Sequence, residues 1–378
     1  MTRTDTAPQA PERSEVRVNH ADLLACTARV LTAHGLAPDR AEAAAAALCH
    51  GDLTGVRSHG LANLERVYLP ALRSGRIDPA AEPDVVSDLG ACLLVDARRA
   101  LGLWQAGTAV DLAVARARRH GAGLVWVRGA THFGCAGHHA ARAADHGMVG
   151  IVAANCGRQR IAPPPGGLRP LLGTNPLSVA APALPGHPFV LDMSTTAVPT
   201  GRVREAARAG RAVPEGWLAD DLGRPVTDPA AFDRGEAHLR WLGQGDGAYK
   251  GFGLGLAVEV LAALVPGAGL GPWPDSPGAG GGAPAAPADD DIGFLAAALA
   301  PEALRPGFAA DAATMFAEVL ACPPADPGAP VRYPGWHEAE RAAAHRRGGV
   351  PLAEAVYREL AAAAEAAGTV PPAVIGGM

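Results

Sequence analysis

Hydrophobic residues recur at helical spacing through the first part of the chain. In "NHADLLACTARVLTAHG" the apolar residues Leu23, Leu24, Val30 and Leu31 recur at helical spacing, and Gly35 supplies a stop signal. Two further helical segments follow, "APDRAEAAAAALCHGDL" and "SHGLANLERVYLPALRSGRI". The pattern therefore predicts a helical N-terminal lobe over residues 19–80.

The middle of the chain, residues 81–335, mixes short apolar runs with amphipathic stretches. Two apolar runs around Leu89 and Gly90 in "DVVSDLGACLLVDA" predict a hairpin, and "LWQAGTAVDLAVARARRHG" predicts an amphipathic helix. Strands are predicted for "GLVWVRG", "MVGIVAAN", "LLGTNPLSVAAP", "PFVLDMST" and "IGFLAAALAPEAL", and an apolar helix for "GFGLGLAVEVLAALV". Because helices and strands do not alternate regularly, the pattern favours an α/β fold of the α+β type.

Three segments depart from these patterns. Residues 1–18 are polar and predict a disordered tail. Residues 266–290 are a low-complexity run of Pro, Gly and Ala, which cannot bury a core and therefore predicts a flexible loop. Residues 336–378 are helical with a break at Gly348 and Gly349, and we expect these C-terminal helices to join the N-terminal lobe.

Composition narrows the class of protein. The net charge of −5 provides no basic surface for nucleic acid, and no apolar run is long enough to cross a bilayer. The opening "MTRTDTAPQAPERSEVRVN" has no apolar stretch, which argues against a secretory signal. The six cysteines are scattered without a C-x-x-C pair, which indicates neither a disulfide framework nor a zinc site. We therefore expect a cytoplasmic protein that needs no metal and binds neither nucleic acid nor membranes.

The segments with candidate chemistry lie between predicted elements. The dinucleotide fingerprint G-x-G-x-x-G is absent, as are a Walker A motif, H-E-x-x-H and G-x-S-x-G. Ser58 and His59 begin the third predicted helix, where a serine alone would fit an N-cap. His132 lies in a loop after a strand, a common place for reactive groups. Asp192 ends an apolar strand, and such a carboxylate can either orient an imidazole or cap the following turn.

One residue type is nearly missing from the chain. Lysine and arginine together number 33, and Lys250 is the only lysine. Its ammonium is more compact than a guanidinium, and the glycines around it in "GDGAYKGFG" leave backbone N–H groups that suit an anionic ligand. The alternative is a surface lysine without a function. Composition leaves both interpretations open.

Seven ordered segments together resemble the malate/L-lactate dehydrogenase family, which includes ureidoglycolate dehydrogenase and cyclic imino acid reductases. They are "DLTGVRSHGLANL", "THFGCAGHHAARAADHGMVGIVAAN", "LLGTNPLSVAAP", "VLDMSTTAVPTGRV", "VPEGWLADDLGRPVTDP", "GAYKGFGLGLAVEVL" and "PGWHEAERA…GGVPL". The resemblance implies a mostly antiparallel central sheet wrapped by helices, without a Rossmann domain. It also implies NAD or NADP as cofactor and a homodimer with its active site near the subunit boundary. The implied reaction is hydride transfer to or from a small 2-oxo acid, 2-hydroxy acid or cyclic imine.

The resemblance also implies roles for particular residues. His59 becomes the leading proton donor or acceptor with Asp192 as its orienting carboxylate, and His132 holds the second active-site histidine position. Which histidine transfers the proton stays open, although an imidazole suits the role because its ordinary pKa lies near working pH. The implied cofactor contacts are Asn155, Cys156, Asp192, Met193, Ser194, Lys250 and Gly251. The implied substrate contacts are Ser58, Asn63, Arg66 and Thr174.

One position departs from the family pattern. The family usually has an arginine in its S-H-G segment at the position where this chain has Asn63. A guanidinium there would clamp a substrate carboxylate in bidentate fashion, whereas asparagine brings no charge, and Arg66 is the candidate substitute. The departure indicates a specialised substrate. It leaves open a cyclic imine reductase and a non-catalytic homologue that binds a ligand.

Overall fold

A seven-stranded sheet forms the centre of the computed structural model, which describes residues 15–243, 245–272 and 290–377. With strands numbered along the chain, the sheet contains, from edge to edge, β2 (Asp84–Asp88), β3 (Cys92–Asp96), β4 (Ala122–Ala130), β11 (Ile292–Leu299), β5 (Val149–Ala154), β6 (Leu177–Leu184) and β7 (His187–Met193). Strands β3 and β4 are parallel, and every other neighbouring pair of this sheet is antiparallel. The predicted α/β fold with a mostly antiparallel sheet is confirmed, as is the hairpin.

Three strands of this sheet run in the same direction. Strand β3 is parallel to β4, and β11 is antiparallel to both β4 and β5. Strands β3, β4 and β5 therefore end at the same edge of the sheet. The segments that follow them begin at Ala97, Thr131 and Asn155, and this edge brings those segments together.

Helices surround the sheet in the described part of the chain. They are α1 (His20–Ala33), α2 (Pro38–Thr54), α3 (Leu69–Arg73), α4 (Gly102–His120), α5 (Ala136–Ala144), α6 (Thr200–Arg208), α7 (Ala230–Asp233), α8 (Ala248–Glu259), α9 (Pro301–Leu304), α10 (Phe308–Ala321), α11 (Trp336–Gly348) and α12 (Glu354–Ala366). The third predicted N-terminal helix is broken into two 3₁₀ turns (Arg57–His59 and Leu61–Asn63), a π-helical turn (Leu64–Tyr68) and α3. Helix α8 continues into a second π-helical turn, Val260–Leu264.

Glycines let two helices approach the sheet closely. A Cβ on Gly123 of β4 would lie 2.0 Å from the carbonyl oxygen of Ala113 in α4. A Cβ on Gly150 of β5 would lie 2.2 Å from the carbonyl oxygen of Ala140 in α5. Any side chain at these two positions would push its helix off the sheet, so glycine is required there.

One hydrophobic core joins the N-terminal helices, the sheet and the C-terminal helices. Its buried members include Leu23 and Leu48 from the first two helices, Val127 and Phe294 from the sheet, and Leu360 from α12. A smaller core lies under α6 and a three-stranded sheet of β8 (Leu218–Ala219), β9 (Pro225–Val226) and β10 (His238–Leu239). The division of the chain into two lobes stays a prediction.

The two ends of the chain meet in a small sheet. Strand β1 (Glu15–Val18) lies between β12 (Val350–Ala353) and β13 (Val374–Gly377), antiparallel to both. The prediction of a disordered tail is therefore wrong for residues 15–18, because two distant segments supply their hydrogen-bond partners. Residues 1–14 lie outside the described part of the chain.

The predicted flexible loop is partly fixed. In residues 266–272, the N–H of Gly269 bonds the chain just before β11 at 3.0 Å. The N–H of Gly271 donates to the carboxylate of Glu259 at 2.9 Å. The prediction is therefore wrong for this part of the loop, and residues 273–289 lie outside the described residues. No described helix has the length and apolar character needed to cross a membrane.

Candidate active site

The turn after helix α2 carries the first site residues, Ser58 and His59. This turn lies so close to α2 that a Cβ on Gly60 would lie 2.3 Å from a carboxylate oxygen of Asp52. That carboxylate accepts a hydrogen bond from the N–H of Leu61 at 2.6 Å. Burial raises the pKa of Asp52 to about 6, against the opposing effect of this bond. The Ser58 hydroxyl lies 2.9 Å from Nδ1 of His59, so the turn fixes the imidazole of His59.

His132 faces His59 across the site. The two ring centroids are 5.8 Å apart and the ring planes differ by 16°. The Tyr68 hydroxyl lies 2.6 Å from Nδ1 of His132, and the N–H of Gly134 reaches the same nitrogen at 3.4 Å. A backbone N–H can only donate, so Nδ1 accepts and a neutral His132 carries its proton on Nε2.

Both imidazoles are neutral near neutral pH. Burial lowers the pKa of His132 to about 3, with smaller contributions from electrostatic coupling to His59 and from the charge of Arg66. Burial and then Arg66 also lower the pKa of His59. Burial raises the pKa of the Tyr68 phenol well above its ordinary value, so this hydroxyl keeps its proton. Neutral imidazoles are ready to accept a proton, and a nearby anion would favour their protonated form.

Asn63 and Arg66 lie beside the histidine pair. The buried amide of Asn63 donates to the carbonyl of Ser58 at 2.9 Å, and its oxygen accepts a hydrogen bond from the Arg66 guanidinium. Arg66 lies in the π-helical turn Leu64–Tyr68, a kind of turn often found at functional sites. Its side chain keeps N–H donors for a ligand, because a guanidinium has five of them. The predicted residues Ser58, His59, Asn63, Arg66 and His132 therefore come together.

Asp192 does not join this group. One of its carboxylate oxygens accepts a hydrogen bond from the N–H of Gly137 at 2.7 Å, in the first turn of α5. Desolvation raises the pKa of Asp192 to about 6, and the bond from Gly137 opposes that shift. Among the described residues, Asp192 makes no hydrogen bond with His59 or His132. The structure therefore does not support the predicted orienting role, because the carboxylate holds the start of a helix instead.

Asn155, Cys156 and Thr174 form a second group at the end of β5. The Cys156 sulfur lies 3.3 Å from the Thr174 hydroxyl, and burial raises the pKa of the thiol, so it stays protonated. The Asn155 amide oxygen accepts hydrogen bonds from the N–H groups of Gly157 at 3.0 Å and Gly293 at 2.9 Å. The Asn155 side chain is thus occupied in joining the loops around the sheet edge.

Two buried residues beside this group were outside the sequence predictions. The Asn175 amide donates to the Glu259 carboxylate at 2.8 Å and to the carbonyl of Gly255 at 2.9 Å. Asn175 has a left-handed φ of 37°, and its buried Oδ1 has no hydrogen-bond partner among the described residues. An unpaired buried acceptor fits the N–H group of a ligand. The lone acidic residue in an apolar helix was the signal that could have identified Glu259.

The segment after β7 also lies against this group. Met193 pairs with Leu177 in the sheet, and the Ser194 hydroxyl donates to the carbonyl of Thr196 at 3.2 Å. The Thr195 hydroxyl donates to the carbonyl of Thr174 at 3.0 Å. These bonds place Met193 and Ser194 next to the second group.

Lys250 lies in the first turn of α8 and is exposed. Its ammonium nitrogen lies 5.9 Å from the ring centroid of Tyr249. The next residue must be small, because a Cβ on Gly251 would lie 2.4 Å from the carbonyl oxygen of Leu242. The described contacts of Lys250 do not include either histidine, and its role toward a cofactor stays a prediction.

Comparison with known proteins places this chain in a family. The sequence model of the malate/L-lactate dehydrogenase family matches residues 18–361. The chain belongs to this family. Malate dehydrogenase of Pyrococcus abyssi is 34% identical over 258 residues, which cover 68% of this chain and 70% of that relative.

A second sequence relative and a solved structure support the same family assignment. The delta(1)-pyrroline-2-carboxylate reductase of Pseudomonas fluorescens is 34% identical over 241 residues, or 64% of this chain and 69% of the relative. The crystal structure of malate dehydrogenase from Entamoeba histolytica superimposes with a TM-score of 0.86 at 25% identity, covering 94% of this chain and 99% of that one. As a member of this family, the chain is an NAD(P)-dependent dehydrogenase or reductase.

The second group of residues fits a nicotinamide dinucleotide of such a dehydrogenase. The unpaired Oδ1 of Asn175 is an acceptor for an amide N–H. Thr174 is the preceding residue, and Ser194 precedes Thr195, whose hydroxyl donates to the carbonyls of Thr174 and Asn175. Within the residues that the structure describes, no three His, Cys, Asp or Glu side chains are arranged to hold a metal ion.

Proposed function

We propose that this enzyme transfers a hydride between NAD or NADP and a small 2-oxo or 2-hydroxy acid. The observation that carries the proposal is the stacked pair of His59 and His132 beside Arg66. The charge of Arg66 lowers the pKa of both imidazoles, so the cation lies near both. Two groups for proton transfer and one for an acid group thus share a site. The malate dehydrogenase relatives support the same class of substrate.

The two histidines divide the work. Hydride transfer would be the chemistry supplied by a nicotinamide cofactor when it is bound. His132 has its Nδ1 engaged with Tyr68, so its Nε2–H is left to donate a hydrogen bond to the substrate oxygen. His59 accepts the proton when a hydroxyl is oxidised and returns it when a carbonyl is reduced. The hydroxyl of Ser58 holds the His59 ring in place.

Arg66 binds the acid group of the substrate in this proposal. Asn63 accepts one N–H of the guanidinium and so fixes its position. The remaining N–H groups can bind a carboxylate or sulfonate in bidentate fashion. This arrangement supports Arg66 as the substitute for the arginine that the family usually has at position 63. The shifted cation supports the proposal of a specialised substrate.

We propose the same cofactor contacts that the family resemblance implies, together with Asn175. The neighbourhood of Cys156, Thr174 and Ser194 around the unpaired Oδ1 of Asn175 supports this part of the proposal. Lys250 would meet an anionic part of the cofactor or substrate from the start of α8.

A cyclic imine reductase is the second candidate. The pyrroline-2-carboxylate reductase relative favours it, because its named substrate carries a C=N bond next to a carboxylate. Reduction of that bond also needs a proton donor beside a cation. The family membership and the assembled histidine pair both argue against the third alternative, a non-catalytic homologue.

We also propose a cytoplasmic homodimer. The six free cysteines fit a reducing compartment. Large apolar side chains are exposed along α8 and the π-helical turn after it, a surface that suits a second subunit. They are Tyr249, Leu256, Val260, Leu261, Leu264 and Val265.

The test mixes the enzyme with NADH or NADPH and a panel of 2-oxo acids, sulfonated 2-oxo acids and cyclic imino acids. Turnover is followed by the absorbance of the reduced nicotinamide, and binding by its fluorescence. We expect His59→Ala to lower kcat by ~100-fold or more while cofactor binding is kept. The control is His120→Ala at the exposed end of α4. If His59→Ala keeps the wild-type turnover, the proton transfer is assigned to His132 instead. If the wild-type protein binds neither NADH nor NADPH, the proposed oxidoreductase activity is refuted.

A further inference from the structure

A cavity of about 590 Å³ opens at the sheet edge where β3, β4 and β5 end. Neither His59 nor His132 lines it. Its walls carry three aspartates and four arginines, which are Arg98, Arg99, Arg128 and Arg158. Arg98 and Arg99 follow β3, Arg128 lies near the end of β4, and Arg158 follows β5. The cavity and His132 therefore share one edge of the sheet.

The backbone around this cavity is strained. Arg98, Arg99 and Asp291 line it with left-handed φ values of 51°, 64° and 44°. In the described part of the chain, the one other non-glycine residue with a positive φ is Asn175, which lies in the proposed cofactor site. Strain of this kind concentrates at ligand sites, because the surrounding structure must impose it. Its convergence on one cavity points to a binding function there.

Hydrogen bonds impose the strained turn. The N–H of Arg99 donates to the carbonyl of Gly129 at 2.8 Å, and the carbonyl of Arg99 accepts from the N–H of Asp78 at 3.0 Å. The N–H of Ala97 donates to the carbonyl of Arg128 at 2.9 Å. The turn is thus fixed to the end of β4, which holds its two arginines at the cavity.

The cavity carries one positive charge without a carboxylate partner. Three of the four guanidinium groups are paired with aspartates, at 2.5 to 3.2 Å. Arg99 instead donates to the carbonyl of Gly75 at 2.9 Å, and it forms no ion pair among the described residues. The paired arginines also keep N–H groups for other acceptors. Within the part of the chain that the structure describes, Asp78 also lines the cavity without an ion pair, and its carboxylate accepts a hydrogen bond from the N–H of Ala80 at 3.0 Å. Four arginines still outnumber the three lining aspartates, so the cavity is suited to an anion with several oxygen atoms.

We propose that this cavity binds a phosphate group, with Arg99 as the main contact. Guanidinium groups bind phosphate in bidentate fashion, and the cavity has room for a larger molecule around the phosphate. The phosphate has two possible sources. One is the dinucleotide cofactor, and this source rests on the proposed function. The other is a separate phosphorylated molecule. Binding of inorganic pyrophosphate is common to both sources.

The test titrates the full-length protein with inorganic pyrophosphate by calorimetry at constant ionic strength. We expect binding to the wild type and at least ~10-fold weaker binding to Arg99→Gln. The matched control is Arg119→Gln, which removes the same charge at the end of α4, just before the start of β4, whereas the cavity lies where β4 ends. Its pyrophosphate affinity should equal that of the wild type.

A second variant separates binding from folding. Arg99→Gly removes a Cβ from a residue with a φ of 64°, so its Tm should equal or exceed that of the wild type. Its pyrophosphate affinity should nevertheless fall as in Arg99→Gln. A stable Arg99→Gly protein with wild-type affinity would overturn the proposal.

Competition identifies the source of the phosphate. Displacement of pyrophosphate by NADH or NADPH would assign the cavity to the cofactor, and simultaneous binding would assign it to a separate phosphorylated molecule. Absence of pyrophosphate binding to the wild type, or equal binding to Arg99→Gln and Arg119→Gln, would overturn the proposal. Those results leave the proposed function intact, because turnover and the His59→Ala variant test it independently.

Discussion

Tyr68→Phe removes one buried hydroxyl beside His132 and leaves the ring in place. Tyr68 is 0% exposed, so phenylalanine fills the same space without a cavity. The change removes the 2.6 Å hydrogen bond to Nδ1 of His132, which keeps only the longer contact of 3.4 Å from Gly134. A buried hydrogen bond of this kind contributes about 1 kcal/mol to the free energy of unfolding.

The larger effect of Tyr68→Phe should be on turnover. Without the phenol, the imidazole of His132 loses its anchor and its Nε2–H no longer points reliably at the substrate oxygen. We expect kcat to fall by ~10-fold, equivalent to about 1.4 kcal/mol in activation free energy. KM should change little, because Arg66 and Asn63 are untouched.

Steady-state kinetics and urea unfolding measure the two effects of Tyr68→Phe. Tyr333→Phe is the matched control, since its buried hydroxyl donates to the carbonyl of His187 at 2.7 Å, away from the histidine pair. The control should lose a similar amount of stability and keep the wild-type kcat. If Tyr68→Phe also keeps the wild-type kcat, Tyr68 is only a core residue and the positioning of His132 by its hydroxyl is wrong.

Two further predictions concern charge. Burial is the largest cause that lowers the pKa of His50 and His139 to about 4 and of His132 to about 3. As the pH falls below 6.5, the unfolded chain therefore takes up protons that the folded chain refuses, and stability is lost. Two carboxyls with pKa values raised to about 6 act in the opposite direction. Burial also lowers the pKa of His20, His59 and His138 and raises that of Glu259, so the shifted histidines outnumber the shifted carboxyls. We therefore expect a net loss of stability as the pH falls from about 6 towards 4, and a flat profile in urea unfolding would contradict this. Lys250→Arg should weaken NADH binding severalfold in a fluorescence titration although the charge is kept, because a guanidinium is larger and planar. Unchanged binding would make Lys250 an ordinary surface lysine.

Local sequence patterns predicted individual helices and strands and the hairpin of two adjacent strands. The hairpin of β2 and β3, helix α4 and strands β4 and β5 lie where the pattern placed them, because the spacing of apolar residues reports which face is buried. Part of the candidate site could also be predicted from a local segment. Ser58, His59, Asn63 and Arg66 lie in one short segment, so their proximity needed no knowledge of the fold.

Contacts between distant segments could not be predicted from local patterns. Residues 15–18 belong to the segment predicted as a tail, yet they form a strand because segments near the C-terminus supply both neighbours. Tyr68 meets a histidine 64 residues further along, and Asp192 meets Gly137 rather than His59. Such pairs depend on how helices and strands pack around a shared core, which no single segment encodes. The sequence by itself therefore determined which functional groups the protein has, whereas tertiary packing decided which of them are in contact.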